Sequence, residues 1–149
     1  MRKVLITGAA GLFGGILREH WGGAQAAPPN SDVDPRYALR LADVRPVGDL
    51  APHEEFMETD IVAYDSMRAA CHEIDVVVHL AAYPGDGAEF YDVLLRLNMI
   101  GAYNAFHAAH AAGCKRVIFA SSIDAVMGYA AHADVAWDAP VDPTNVYGA

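Results

Sequence analysis

The sequence predicts an open, doubly wound α/β domain around a parallel sheet of about five strands. Three observations carry that expectation. Short β-rich runs alternate with helical patterns, as they do where helical crossovers join parallel strands. Three of the five runs are near-continuous apolar segments, the pattern of strands buried on both faces. The first run passes straight into a glycine turn and an apolar helix start: Val4-Leu5-Ile6-Thr7-Gly8-Ala9-Ala10-Gly11-Leu12-Phe13-Gly14. Right-handed crossovers then favour the strand order 3-2-1-4-5, with helices on both faces in three αβα layers.

The elements follow in order. The first strand is read at Lys3–Thr7 and the first helix at Leu12–Trp21. Gly22, Gly23, Pro28, Pro29 and Asn30 mark 22–35 as a long loop. The second strand is expected at Tyr37–Ala42 and the third at Phe56–Thr59. A helix over 65–71 starts at Asp65, a suitable N-cap. The fourth strand spans Asp75–Leu80 around Val76-Val77-Val78. The longest helix runs from about Ala88 to Ala112, and Gly113 stops it. The fifth strand is Arg116–Ala120. From Ala131 onward, Pro140 and Pro143 indicate an irregular loop approaching one last helix start.

The 149 residues suffice for one domain with a real core. A hydrophobic content of 54% with 19% charged residues describes a folded chain, not a disordered one. The net charge of −9 argues against a nucleic-acid partner, which would want a basic face. No apolar run approaches the ~20 residues of a membrane span. Met1-Arg2-Lys3 leads at once into a strand rather than a signal peptide, so a cytoplasmic location is expected. Cys71 and Cys114 form no C-x-x-C pair and read as buried free thiols. His107 and His110 lie three apart on a helix without a third ligand, so no metal site is expected.

Several residues could carry chemistry. Gly8 permits a tight turn, Gly11 lets backbone approach a pyrophosphate, and Gly14 lets the helix pack on the strand. The helix start then offers free N–H groups to phosphate. Asp43 ends the second strand, either to hold both hydroxyls of an adenosine ribose or as an ordinary turn aspartate. In the first role it would repel a 2′-phosphate and select NAD over NADP, with Arg45 nearby as a group that tolerates one. Asp60 is either a partner for an adenine amino group, with Ile61 packed on the ring, or a capping aspartate. Small residues in His79-Leu80-Ala81-Ala82 let a ligand approach the carboxyl edge of the sheet. His79 itself reads as a satisfied core histidine. Asn98, in an apolar helix, either ties helix to strand or holds a water. Ser121-Ser122 ends the fifth strand, and Tyr147-Gly148 follows about two dozen residues later. A tyrosine moves a substrate proton only when a cation lowers its pKa of ~10.

Taken together, these residues resemble the extended short-chain dehydrogenase/reductases, the NAD-dependent epimerase/dehydratase group, with a Rossmann-like fold. The matching elements are Thr7-Gly8-x-x-Gly11-x-x-Gly14, Asp43, Asp60-Ile61, His79-Leu80-Ala81-Ala82, Asn98, Ser121-Ser122 and Tyr147-Gly148. The stretch from Asn98 to Ser122 is most similar to uronate dehydrogenases. The resemblance implies an NAD site formed by Gly8, Ala10, Gly11, Leu12, Phe13, Gly14, Asp43, Asp60 and Ile61. Leu80, Ala81, Ala82, Asn98 and Tyr147 complete it. It implies hydride transfer at a carbon of a sugar or sugar acid, with Tyr147 as acid/base and Ser122 holding the reacting oxygen. Ser121 is the alternative to Ser122. The long helix usually helps form a dimer in this family, which implies self-association.

Two departures stand out. Uronate dehydrogenases tend to carry glycines and a serine after the fourth strand, where this chain has Ala81-Ala82-Tyr83-Pro84. The family pattern Y-x-x-x-K puts a lysine at the second position beyond Ala149. Residues 1–149 therefore read as the N-terminal, NAD-binding part of a C-terminally truncated dehydrogenase or epimerase, inactive alone. The alternative is a complete, non-catalytic dinucleotide-binding or interaction module.

Overall fold

A computed structural model describes residues 2–21 and 37–149. The expected loop at 22–35 lies outside the described residues. Five strands form one sheet: β1 (Arg2–Thr7), β2 (Tyr37–Asp43), β3 (Glu54–Glu58), β4 (Val76–His79) and β5 (Arg116–Phe119). Every pairing is parallel and the order is β3-β2-β1-β4-β5, as the crossover rule requires. The helices are α1 (Leu12–His20), α2 (Tyr64–Ala70), α3 (Phe90–Ile100) and α4 (Gly101–Ala111).

Alternation along β1 divides the core in two. Leu5 joins Val77, Met67, Cys71, Ala105 and Ala108 on the face covered by α2 and α4. Val4 and Ile6 join Leu39, Leu41 and Val78 on the other face, against Leu17 and Trp21. A strand buried on both sides must be apolar at consecutive positions, which is why the run was legible. Each fully buried Leu or Ile contributes about 1.5–3 kcal/mol relative to exposure. Small residues on α4 bring it close: a Cβ on Gly101 would lie 2.6 Å from Ile61 Cδ1.

Three expectations need correction. β3 begins two residues earlier than Phe56 and ends one residue before Thr59. Its acidic start is tolerated because Glu54 takes a two-point bond from Arg18, and Glu55 takes one from Arg40. α2 starts at Tyr64 with Ala63 as N-cap, so Asp65 sits in the first turn instead of capping it. Asp60 organises that entrance, accepting from Val62 N–H at 2.9 Å. The long helix is two geometries in sequence. α3 has wide, π-type hydrogen bonding, with Leu94 N–H reaching Glu89 O five residues back. α4 is a regular α-helix that ends at Gly113, whose φ of +74° suits the stop.

Cys71 and Cys114 are both free, the first buried and the second half-buried. Burial pushes the Cys71 thiol up to about 12. Among the described residues no helix is long and apolar enough to cross a membrane, and no cluster of three or more metal-ligating side chains occurs.

Candidate functional site

Register brings the carboxyl ends of the strands together. Thr7 sits between Ala42 on β2 and His79 on β4, and His79 sits beside Phe119 on β5. In an open parallel sheet this is the edge where ligands bind. Two adjoining hollows open there, and Ala81 and Ala82 line both.

The first hollow, of about 230 Å³, is lined by Gly8, Gly11, Asp43, Arg45, Asp60, Ile61 and Leu80, among others. The glycine turn is held without any side chain of its own. Gly8 has a φ of +72°, and a Cβ there would stand 2.8 Å from Ala81 N. A Cβ on Gly14 would stand 2.5 Å from Gly8 O. At Gly11 the nearest heavy atom would be Gly8 O at 3.1 Å. Leu12 and Phe13 open α1 and are exposed, with side chains turned from the core. Asp43 is anchored across this turn. Its Oδ2 accepts from Ala10 N–H and its Oδ1 from Arg45 N–H, both at 3.0 Å. Arg45 closes the loop by donating from Nη2 to Ala10 O at 3.0 Å. The Asp43 side chain is 9% exposed and is held close to the turn. The turn, the free start of α1 and a strand-end carboxylate fit the pyrophosphate and ribose of a dinucleotide. Asp60 is exposed at the rim, and Ile61 is buried beneath it.

Between the hollows, Thr7 and His79 lock the ends of β1 and β4. Thr7 Oγ1 accepts from Leu80 N–H at 3.2 Å and Ala81 N–H at 3.3 Å. With both lone pairs taken, its hydroxyl donates to His79 Nδ1 at 2.7 Å. His79 is thereby neutral, with its proton on Nε2. Burial pushes its pKa down to about 4. The ring also stacks on Phe119. Asn98 uses both ends of its amide on one residue. Oδ1 accepts from Tyr83 N–H at 2.8 Å and Nδ2 donates to Tyr83 O at 3.0 Å. It thus pins the segment after β4 to α3.

The second hollow, of about 260 Å³, is lined by His79, Asn98, Ser121, Ser122 and Tyr147, among others. Ser122 opens a 3-10 turn at Ile123–Val126 and accepts from Asp124 N–H. Its hydroxyl donates to Asp124 Oδ2 at 3.0 Å. Asn145 first, and Ser122 second, hold the Asp124 carboxyl below its usual range. Of the residues named from the sequence, those from Gly8 to Tyr147 line one hollow or the other, except Ala10, Leu12, Phe13 and Gly14, which lie on the turn and the start of α1 and line neither. Four contributors were not expected: Thr7 Oγ1, Asp124, Asn145 and the Gly101 contact beneath Ile61. A threonine before Gly8 was visible as a signal, whereas the others depend on tertiary approach.

The geometry defines a Rossmann-like α/β unit with a glycine turn and a carboxylate at one hollow and a serine and a tyrosine at the other. Residues 4–149 match the NAD dependent epimerase/dehydratase family, and the chain belongs to that family. It is 30% identical to the uronate dehydrogenase of Pseudomonas putida, aligning over 98% of this chain and 50% of that one. It is 32% identical to the uronate dehydrogenase of Agrobacterium fabrum, over 99% of this chain and 51% of that one. Among solved structures, an Agrobacterium tumefaciens uronate dehydrogenase mutant complexed with NAD superposes with a TM-score of 0.80 at 32% identity. That match covers 99% of this chain and 51% of the other. The chain spans about half the length of the curated relatives it matches.

Proposed function

We propose that residues 1–149 form the NAD-binding part of a protein that oxidises a sugar or sugar acid, as uronate dehydrogenases do. One observation carries this reading: two adjoining hollows that share Ala81 and Ala82 hold the glycine turn and Asp43 on one side and Ser122 and Tyr147 on the other. Gly8, Gly11 and the start of α1 would hold the pyrophosphate. Asp43 would accept from the ribose hydroxyls, and Asp60 with Ile61 would meet the adenine. Leu80, Ala81 and Ala82 would floor the passage between the two hollows. NAD, when bound, supplies a hydride acceptor.

The remaining work falls to the chain. Ser122 would hold the reacting hydroxyl, and Tyr147 would take its proton. That step needs a cation to lower the tyrosine pKa from ~10. The resemblance puts the lysine that would do this at the second position beyond Ala149.

The test uses the protein at its native length with NAD and a uronate. Stoichiometric NADH supports the dehydrogenase, and NAD retained through turnover of a nucleotide sugar supports an epimerase. Tyr147→Phe should lower turnover by about 100- to 10,000-fold. No reaction with any sugar, sugar acid or nucleotide sugar would overturn the reading.

A further inference from the structure

The proposed proton-handling pair lies on two segments that share no strand pairing. Ser122 follows β5, whereas Tyr147 sits in an irregular stretch two dozen residues on. One carboxylate spans them. Asp124 Oδ2 accepts from the Ser122 hydroxyl at 3.0 Å. Its Oδ1 accepts from Asn145 Nδ2 at 2.8 Å. Asn145 Oδ1 in turn accepts from Gly148 N–H at 2.8 Å. The bonds thus form an unbroken chain from the serine hydroxyl to the peptide that follows Tyr147.

Backbone contacts support the same approach. A Cβ on Gly148 would overlap the Asp124 carbonyl, so only glycine lets the segments meet this closely. Further along, Asp142 N–H donates to Ala125 O at 2.8 Å, and Gly128 N–H donates to Asp142 O at 2.6 Å. The bond to Asp124 also sets the polarity of Ser122. Its proton is committed, and one lone pair already accepts from Asp124 N–H at 3.2 Å.

We propose that Asp124, acting through Asn145, is a positioning residue that clamps Ser122 to the Tyr147 segment. This rests on the sugar-oxidation reading above. Neither side chain touches the adenosine end, which β1, β2 and β3 build, so losing the clamp should alter turnover and leave cofactor binding alone.

The experiment uses the native-length protein and three variants: Asp124→Ala, Asn145→Ala and the double substitution. Each single change should lower kcat about tenfold or more, and the double should lose little beyond the worse single, because groups acting as one unit are non-additive. KM for NAD should stay within about twofold, since the affected bonds lie outside the adenosine end. Amide exchange at Gly148 should accelerate in both single variants, a readout independent of activity. Asp124→Asn covers the case in which the alanine variant does not fold: it retains an oxygen for Asn145 and loses the acceptor for Ser122. Wild-type kcat in a folded Asp124 variant with unchanged Gly148 exchange would overturn the clamp. So would single effects that multiply in the double variant. If the wild-type protein oxidises no sugar or sugar acid, the sugar-oxidation reading fails instead, and Gly148 exchange alone decides the clamp.

Discussion

The two adjoining hollows are built on different principles. The one at the glycine turn is made of backbone. Gly8 and Gly14 are spaces into which no side chain goes, and Asp43 grips the peptide of Ala10. Its strands are packed on both faces, with Leu5, Ile6 and Leu41 fully buried. The hollow at Ser122 and Tyr147 is made of side chains. Ile118 and Phe119 on β5 are nearly half exposed, and a string of side-chain hydrogen bonds from Ser122 to Gly148 joins its segments. A backbone site is specified by short sequence spacing and rigid packing. A side-chain site depends on a few bonds between distant segments, which cost less to break and are easier to retune.

The largest effect that would test this contrast is at Gly14. A methyl there has nowhere to go, since Gly8 O and both Ala9 Cα and Ala9 O lie within 2.7 Å of it. All three are backbone atoms, so relief means moving α1 off β1. Gly14→Ala should destabilise the protein by about 3 kcal/mol, the upper part of the usual overpacking range. Thermal unfolding of the native-length protein reads it directly. A melting temperature within a degree of wild type would mean that the glycine turn is less rigid than its packing indicates.

This asymmetry also explains what was legible in the sequence. The parallel sheet, its order and the glycine turn could be read because each depends on local pattern: apolar runs, a G-x-x-G-x-x-G spacing, a carboxylate ending a strand. The start of β3 is not legible in the sequence because its glutamates look unlike strand until Arg18 and Arg40 neutralise them from other elements. The same holds for α2, where Asp65 looked like a cap while Asp60, five residues earlier, organises the entrance. At the second hollow, Ser122 and Tyr147 are recognisable as residue types. Asp124 and Asn145 carried no signal, because their importance arises from an approach across 21 positions that no local pattern encodes.

A second test sharpens the comparison at the junction of the two hollows. His79 is buried and neutral, and its folded pKa of about 4 lies below the ordinary 6.5. Between those values the unfolded chain binds the extra proton and the folded chain does not. Stability therefore rises with pH through this window: it is complete above about 6.5 and is lost as pH falls toward 4. The shift corresponds to a loss on the order of 3 kcal/mol at the acid end. His79→Gln keeps an oxygen for the Thr7 hydroxyl and cannot take the proton. Denaturant melts at several pH values should show that this variant removes most of the slope between pH 6.5 and 4.5. A variant as acid-sensitive as wild type would place the titrating group elsewhere.

The smallest effect has the opposite sign, and it lies one residue from the largest. Gly15 follows Gly14 on α1, yet a Cβ built on it meets no atom within 4 Å. It has no positive φ to satisfy, and it lies inside a helix, where glycine carries an entropic cost that alanine avoids. Gly15→Ala should stabilise the protein by about 0.5–1 kcal/mol. NAD affinity should be unchanged, because Gly15 lines neither hollow. The pair of neighbours separates two explanations of a glycine-rich turn. If both alanine variants lose stability, the whole segment needs glycine for flexibility. If Gly14→Ala fails and Gly15→Ala gains, the requirement is steric and belongs to single positions, as a site built from backbone demands.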